Sequence, residues 1–244
     1  MLDSILKDVV QHTSALGIFD VVKITGSAQS TAMDGLAEDK SVVVHAEFND
    51  HIPEFSGTFG LPNLAKLNTI LGIPEYKDDP TIAVQTQSRN GETIPVSIAF
   101  ENAAKDFKND YRLMSAEIVN SKVPSARFKG ASWDVVTEPS IVNIQRFKFQ
   151  SQANSDEVIF KVKVENGNLK FYFGDHSSHA GNFVFAAGVT GTLKKDWSYP
   201  VSQTISVLSS AGDKMIKFSD AGAMMITVDS GLAKYEYIFP ALVK

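Results

Sequence analysis

The residues best suited to chemistry in this chain are Asp175, His176 and His179 in "DHSSH", a carboxylate and two imidazoles of metal-ligating type. Two loop histidines without helical spacing or a further ligand read as a polar turn between strands rather than a zinc site. "KDD", Lys77 to Asp79, reads in the same way as a solvated turn and not as a carboxylate pair for acid–base work. Neither G-x-x-x-x-G-K-[ST], nor a strand-linked G-x-G-x-x-G, nor G-x-S-x-G occurs, so phosphate loops and nucleophile elbows are missing from the pattern. Cysteine is absent, which excludes thiol nucleophiles, disulfides and Cys-based zinc sites. The expectation is a protein that is not an enzyme, with no catalytic residue, metal or cofactor.

What remains is charge. Lys7, Lys66, Arg146, Lys148, Lys194 and Lys195 lie on or beside four predicted helices. Taken alone they read as solvent-facing helix charge. The formal net charge of −5 disfavours binding to nucleic acid or an anionic membrane through bulk electrostatics, so any such role depends on where the cations sit. Were four helices to share one concave surface, an acidic protein would carry a positive lining.

The elements that position these residues are legible in stretches. Leu2, Ile5, Leu6, Val9 and Val10 lay an apolar stripe on one helical face, with Asp3 as cap and Lys7 on the other face. "FDVVKITG" and "SVVVHAEFND" read as two strands joined by a loop around Gly35. "GTFGLPNLAKLNTILG" reads as a strand end, a helix opened by Pro62 with a seam of Leu61, Leu64, Leu67 and Leu71, and a stop at Gly72. "TIAVQTQ" and "TIPVSIAF" flank Asn90-Gly91, a hairpin signal, and "DYRLMSAEI" reads as a further strand.

The same order then recurs. Thr137 is placed to cap a helix through "PSIVNIQRFK", although "RFKFQ" alternates like a strand. "EVIFKVKV" and "NLKFYF" flank Asn166-Gly167, a second hairpin signal, and "GNFVFAAG" leads into "GTLKKDWSYPVSQTISVLSSAG", a second strand–proline–helix phrase. "KMIKFSD", "AMMITVD" and "AKYEYIFP" close as an antiparallel meander. Ile5 and Ile144, and Lys7 and Arg146, are each separated by 139 positions. A chain of 244 residues accommodates two domains of ordinary size. The repeat predicts two similar α+β domains, each with helices packed on one face of an antiparallel sheet. The aperiodic, Pro- and Gly-containing segment after residue 118 is the expected crossing, giving domains over 1–118 and 137–244 with a connector over 119–136.

Lys7 and Asp8 interrupt the first apolar stretch, unlike a signal peptide, and runs such as Phe183 to Val189 fall short of the ~20 residues that span a bilayer. A soluble intracellular protein is expected.

"MIKFSDAGAMMITVDSGLAKYEYIFPALVK" resembles the final meander of replicative sliding clamps, the processivity factors of DNA polymerases, in their two-domain form. "DYRLMSAEIVNSKVP" resembles the end of that family's first domain running into its interdomain connector. The resemblance follows the order of elements over nearly the whole chain. It implies the DNA-clamp fold, closed as a homotrimeric ring like proliferating cell nuclear antigen and tailed-phage clamps. It further implies duplex DNA encircled without sequence preference, with DNA polymerase and a clamp loader as partners and no membrane. The site of action would be intracellular, at replication sites, in the host cytoplasm for a viral clamp. The six cations would face DNA. Ile118, Val119, Pro124, Tyr237, Pro240 and Ala241 would form the groove for partner peptides, and the strand Tyr111 to Glu117, with Leu113, would meet Phe183 and Phe185 of the neighbouring subunit. The connector's basic residues and Trp133 depart from the family pattern, so the partner motif need not be the usual one. The competing reading is a non-enzymatic structural β-rich assembly protein whose duplicated domains bind each other.

Overall fold

A computed structural model describes residues 2–89, 91–124, 132–175 and 179–242. Asn90 of the first hairpin signal, His176 of the "DHSSH" stretch and connector residues 125–131 lie outside the described residues. The chain divides into two compact units, Met1–Ala126 with Ser230–Tyr235, and Arg127–Asp229 with Glu236–Lys244.

The first unit opens with α1, Leu2–Gln11. Its stripe of Leu2, Ile5, Leu6, Val9 and Val10 is buried, as the spacing predicts. Strands β1 (Val22–Gly26), β2 (Thr31–Leu36), β3 (Val43–Phe48) and β4 (Gly57–Leu61) form an antiparallel sheet in the order β4-β1-β2-β3. β2 corrects the loop expected around Gly35. That glycine sits inside the strand, opposite Val44, where an added Cβ would lie 2.7 Å from Val44 Cγ1. It is chosen by close cross-strand packing rather than by a turn.

Helix α2, Leu64–Leu71, follows β4. Pro62 stands outside the helix: Asn63 is the N-cap, and its Oδ1 accepts the Lys66 N–H at 3.1 Å. The buried seam runs through Leu64, Leu67 and Ile70, with Leu71 only half-buried. β5 (Thr81–Arg89), β6 (Glu92–Glu101) and β7 (Lys108–Arg112) form the second sheet in that order. The strand expected to continue to Ile118 ends at Arg112. Residues Ala116–Lys122 are instead a short helix, α3, held by Val119 packing on Gly60, where a Cβ would meet Val119 Cγ2 at 2.8 Å. Residues 230–235 return to this unit, where the Asn49 N–H and side-chain amide donate to Leu232 O and Gly231 O, each at 2.9 Å.

The second unit contains β8 (Val135–Thr137), α4 (Ile141–Ala153), β9 (Ile159–Glu165), β10 (Asn168–Phe173), β11 (Gly181–Ala187), β12 (Trp197–Pro200) and α5 (Val201–Ser209). β13 (Asp213–Ser219), β14 (Ala223–Asp229) and β15 (Ala233–Pro240) complete it, the last contributing from Glu236 onward. The sheet order β12-β9-β10-β11 reproduces β4-β1-β2-β3, so each unit writes the same topology. Thr137 lies in β8. Ser140 is the actual cap of α4, accepting the Asn143 N–H at 3.1 Å. "RFKFQ" is helical throughout; its alternation puts Phe147 into the core and Phe149 into solvent. Phe147 packs edge-on against Phe160 at 4.8 Å and Phe171 at 5.2 Å between centroids, in a core that also holds Phe183 and Phe185. Asn166 and Gly167 both have positive φ, 51° and 72°, as a two-residue primed hairpin turn requires. Among the described residues no helix is long and apolar enough to cross a membrane.

Candidate functional site

In the first unit α1 packs on α2, and the exposed side of the pair carries Ser4, Lys7 and Gln11 from α1 and Lys66, Asn68 and Thr69 from α2. Lys7 Nζ lies 2.7 Å from Asp3 Oδ2, one helical turn earlier, an exposed i,i+4 pair that is weak and salt-sensitive. Lys66 has no carboxylate partner among the described residues.

In the second unit α4 packs on α5, and neither helix contains an Asp or Glu. Arg146 occupies the repeat position of Lys7 but is used differently. Its Nη1 donates to Val184 O at 3.1 Å and its guanidinium sits 5.5 Å from the Phe183 ring centroid, so it leans along β11. Lys148 is half-buried beside α5. Lys194 and Lys195 belong to the loop before β12, and α5 itself is uncharged. The Lys194 N–H donates to Asp220 Oδ1 at 2.8 Å, and Lys195 Nζ lies 5.3 Å from the Trp197 ring centroid. Five of the six cations are exposed, and each helix pair offers ammonium or guanidinium groups suited to phosphate contacts without base reading. Lys214, beside the α4–α5 pair, and the exposed apolar residues Ile141, Val142 and Phe149 of α4 carry no motif or spacing that marks them in the sequence.

The other candidates sort by burial. Tyr237 and Val119, expected in a peptide groove, are fully buried side chains. Ile118 is 49% exposed, Pro124 and Pro240 are exposed and Ala241 is half-buried. Tyr111, Phe183 and Phe185 are likewise interior. The Tyr111 hydroxyl donates to Pro62 O, and burial pushes its pKa far up. Leu113 is half-buried and its N–H donates to Val96 O at 3.0 Å. What these strands expose is backbone: among the described residues β7 pairs along one side with β6, and β11 along one side with β10, leaving an edge of each without a strand partner there. The edge of β7 ends at Arg112, short of the expected Glu117. Asp175 and His179 are exposed.

A largely buried polar network through Asp34 stabilises the first unit. Lys23, almost wholly buried, donates from Nζ to Val123 O at 3.2 Å and lies 3.5 Å from Asp34 Oδ2, tying β1 to the end of α3. Asp34 Oδ1 in turn lies 2.8 Å from His45 Nδ1. The hydrogen bond to Asp34 raises the His45 pKa against the opposing effect of burial.

No protein-family model and no curated protein matches the chain. Solved structures do. PCNA from Thermococcus kodakaraensis matches with a TM-score of 0.69 at 11% identity, over 97% of each chain. A. fulgidus PCNA, in a structure with the C-terminal region of FEN-1 bound, matches with a TM-score of 0.67 at 11% identity, over 99% of this chain and 96% of that one. Proliferating Cellular Nuclear Antigen from Entamoeba histolytica matches with a TM-score of 0.70 at 14% identity, again over 99% and 96%. The chain therefore has the PCNA-like sliding-clamp fold, as its order of elements led us to expect.

Proposed function

We propose that this chain is a non-enzymatic sliding clamp that closes as a homotrimeric ring around duplex DNA and tethers a replicative DNA polymerase, with a clamp loader to open it. The observation that carries this reading is the fold likeness over at least 97% of the chain. It is supported by exposed cations on both helix pairs of a chain whose net charge is −5. A sparse set of cations suits a ring that moves, because each phosphate contact adds salt-sensitive binding free energy that would oppose sliding.

Ring closure would join the open edge of β7, Lys108–Arg112, to that of β11, Gly181–Ala187, of the next subunit, removing both edges from solvent. Tyr111, Phe183 and Phe185 would hold these strands from behind. Of the residues expected to receive partner peptides, Ile118 and Pro124 in the first unit and Pro240 in the second are exposed, and Ala241 is half-buried. The likeness to a clamp with a FEN-1 tail bound supports partners of that kind. The site of action would be intracellular, where DNA is replicated.

Solution mass is the first test: a ring sediments at three times the 26.6 kDa of the subunit. The second is retention on nicked circular DNA with loader and ATP, lost when the circle is linearised. Charge reversal at Lys66 and Lys7 is expected to impair retention with the trimer intact. A stable trimer that ignores DNA would return the chain to the structural-assembly reading, and a monomer at micromolar concentration would remove the ring.

A further inference from the structure

Between the first half of α4 and the end of α5 lies a cleft of about 430 Å³, within the second unit. Its volume is in the range that small organic ligands occupy. Ile144 and Leu208 give it an aliphatic floor and are buried there, while Ile141 stands 78% exposed at the mouth, uncovered by the described residues of its own unit. The rim is cationic. Lys148 and Lys214 line it, no carboxylate comes from either helix, and the acid present is Asp213, next to Lys214 in the chain.

Lys214 is half-buried, and its Nζ donates to Gly212 O at 2.8 Å. Burial lowers its pKa below the ordinary lysine value, against the opposing pull of Asp213. A partly desolvated ammonium paired with a neutral carbonyl is better satisfied by an anionic oxygen.

A cleft lined by Ile141, Ile144 and Leu208 together with Lys148, Lys214 and the neutral polar Gln145, Ser209 and Ser210 fits a ligand with an apolar face, hydrogen-bonding edges and anionic neighbours. An unpaired nucleotide has these features: a base with its face and edges for the cleft and phosphodiesters for the lysines. An acidic peptide shares the charge but lacks the flat face. We infer that the α4–α5 cleft binds an unpaired nucleotide of single-stranded DNA, with the base on Ile141, Ile144 and Leu208 and the flanking phosphates at Lys148 and Lys214. The inference rests on the clamp reading in placing this helix pair against DNA, and it adds a preference. A gap, or template strand beyond a primer end, is held more tightly than continuous duplex, whose bases would have to leave the stack to enter.

The test titrates the full-length chain with a labelled oligothymidylate on the order of ten nucleotides and with a continuous hairpin duplex of equal phosphate count, reading anisotropy over a range of salt. The oligothymidylate is expected to bind more tightly. Ile141→Ser weakens that binding about tenfold, the scale of one aliphatic side chain's burial, and Ile141→Gln repeats the result should the serine variant melt early. Lys148→Gln and Lys214→Gln each lower the slope of log K against log salt by about 0.7, one single-strand phosphate contact. Equal binding of the two DNAs, an unchanged slope in Lys214→Gln, or displacement of bound oligonucleotide by an acidic peptide at lower concentration would overturn the assignment. Retention on circular duplex is the separate measurement. Retention there without preference for the oligonucleotide removes the cleft alone, while oligonucleotide binding by a chain that is never retained removes the ring and keeps the cleft.

Discussion

The Tyr235 hydroxyl donates to Asp8 Oδ2 at 2.7 Å, joining residues 227 positions apart in sequence. Ser230 Oγ donates to the same oxygen at 3.0 Å, and His12 stacks on the Tyr235 ring at 4.4 Å with its Nδ1 donating to Asp8 O at 2.9 Å. Burial opposes ionisation of Asp8, yet the hydrogen bonds from His12, Tyr235 and Ser230 outweigh it and leave the pKa lowered. This cluster fastens residues 230–235 to the end of α1.

Tyr235→Phe deletes one charge-assisted hydrogen bond and is expected to cost about 1.5–3 kcal/mol, read as a lower midpoint in thermal melting at neutral pH. Because the folded pKa of Asp8 is depressed below 3.8, its contribution is complete above that value and is lost as pH falls through the folded pKa. Asp8→Asn should therefore lower stability at pH 7 and flatten the acid limb of a stability–pH curve. An unchanged acid limb would rule out this role for Asp8.

His45 carries the opposite sign. Its folded pKa is raised above 6.5 by the hydrogen bond to Asp34, so its contribution is complete below that value and disappears as pH rises through the folded pKa. His45→Gln should flatten stability between neutral and mildly alkaline pH. The effect stays under about 1 kcal/mol, because the imidazole is part-exposed and screened.

Phe147→Ala empties the centre of the aromatic cluster under α4 and is expected to cost about 3–5 kcal/mol, with Phe147→Leu much milder. Denaturant unfolding followed by tryptophan fluorescence measures both, since Trp133 and Trp197 both belong to the second unit.

Gly26→Ala would put a Cβ 1.5 Å from Phe55 O. A clash with backbone cannot be relieved by a rotamer change, so the loss should exceed about 3 kcal/mol, visible as insoluble expression or early melting.

Asp3→Asn releases Lys7 from its 2.7 Å ion pair. In the proposed ring this makes one more cation per subunit available, steepening the slope of log K against log salt for duplex DNA by about 0.9 for each phosphate newly contacted. A slope equal to that of the parent chain would show that Lys7 does not meet phosphate.

Features governed by neighbours within a turn or two could be read directly from the chain. The α1 stripe, the Asn166-Gly167 hairpin and the three closing strands depend on 3.6- or 2-residue periods and on local φ preferences, and these act on any chain before it folds. The duplication was legible for the same reason, since it is a repeat of local phrases. Gly35 was misread because its selecting contact is Val44 across the sheet. The strand expected after Arg112 became α3 because Val119 finds its seat on Gly60. Site residues were least legible. Lys7 and Arg146 share a register, but whether each cation reaches solvent, Asp3 or Val184 O depends on what folding brings beside it. That Tyr237 and Val119 are fully buried is likewise not specified by their local sequence. Spacing along the chain specifies which face of an element a side chain occupies; what covers that face is set by packing between segments far apart in sequence, and accessibility and charge pairing follow from that packing.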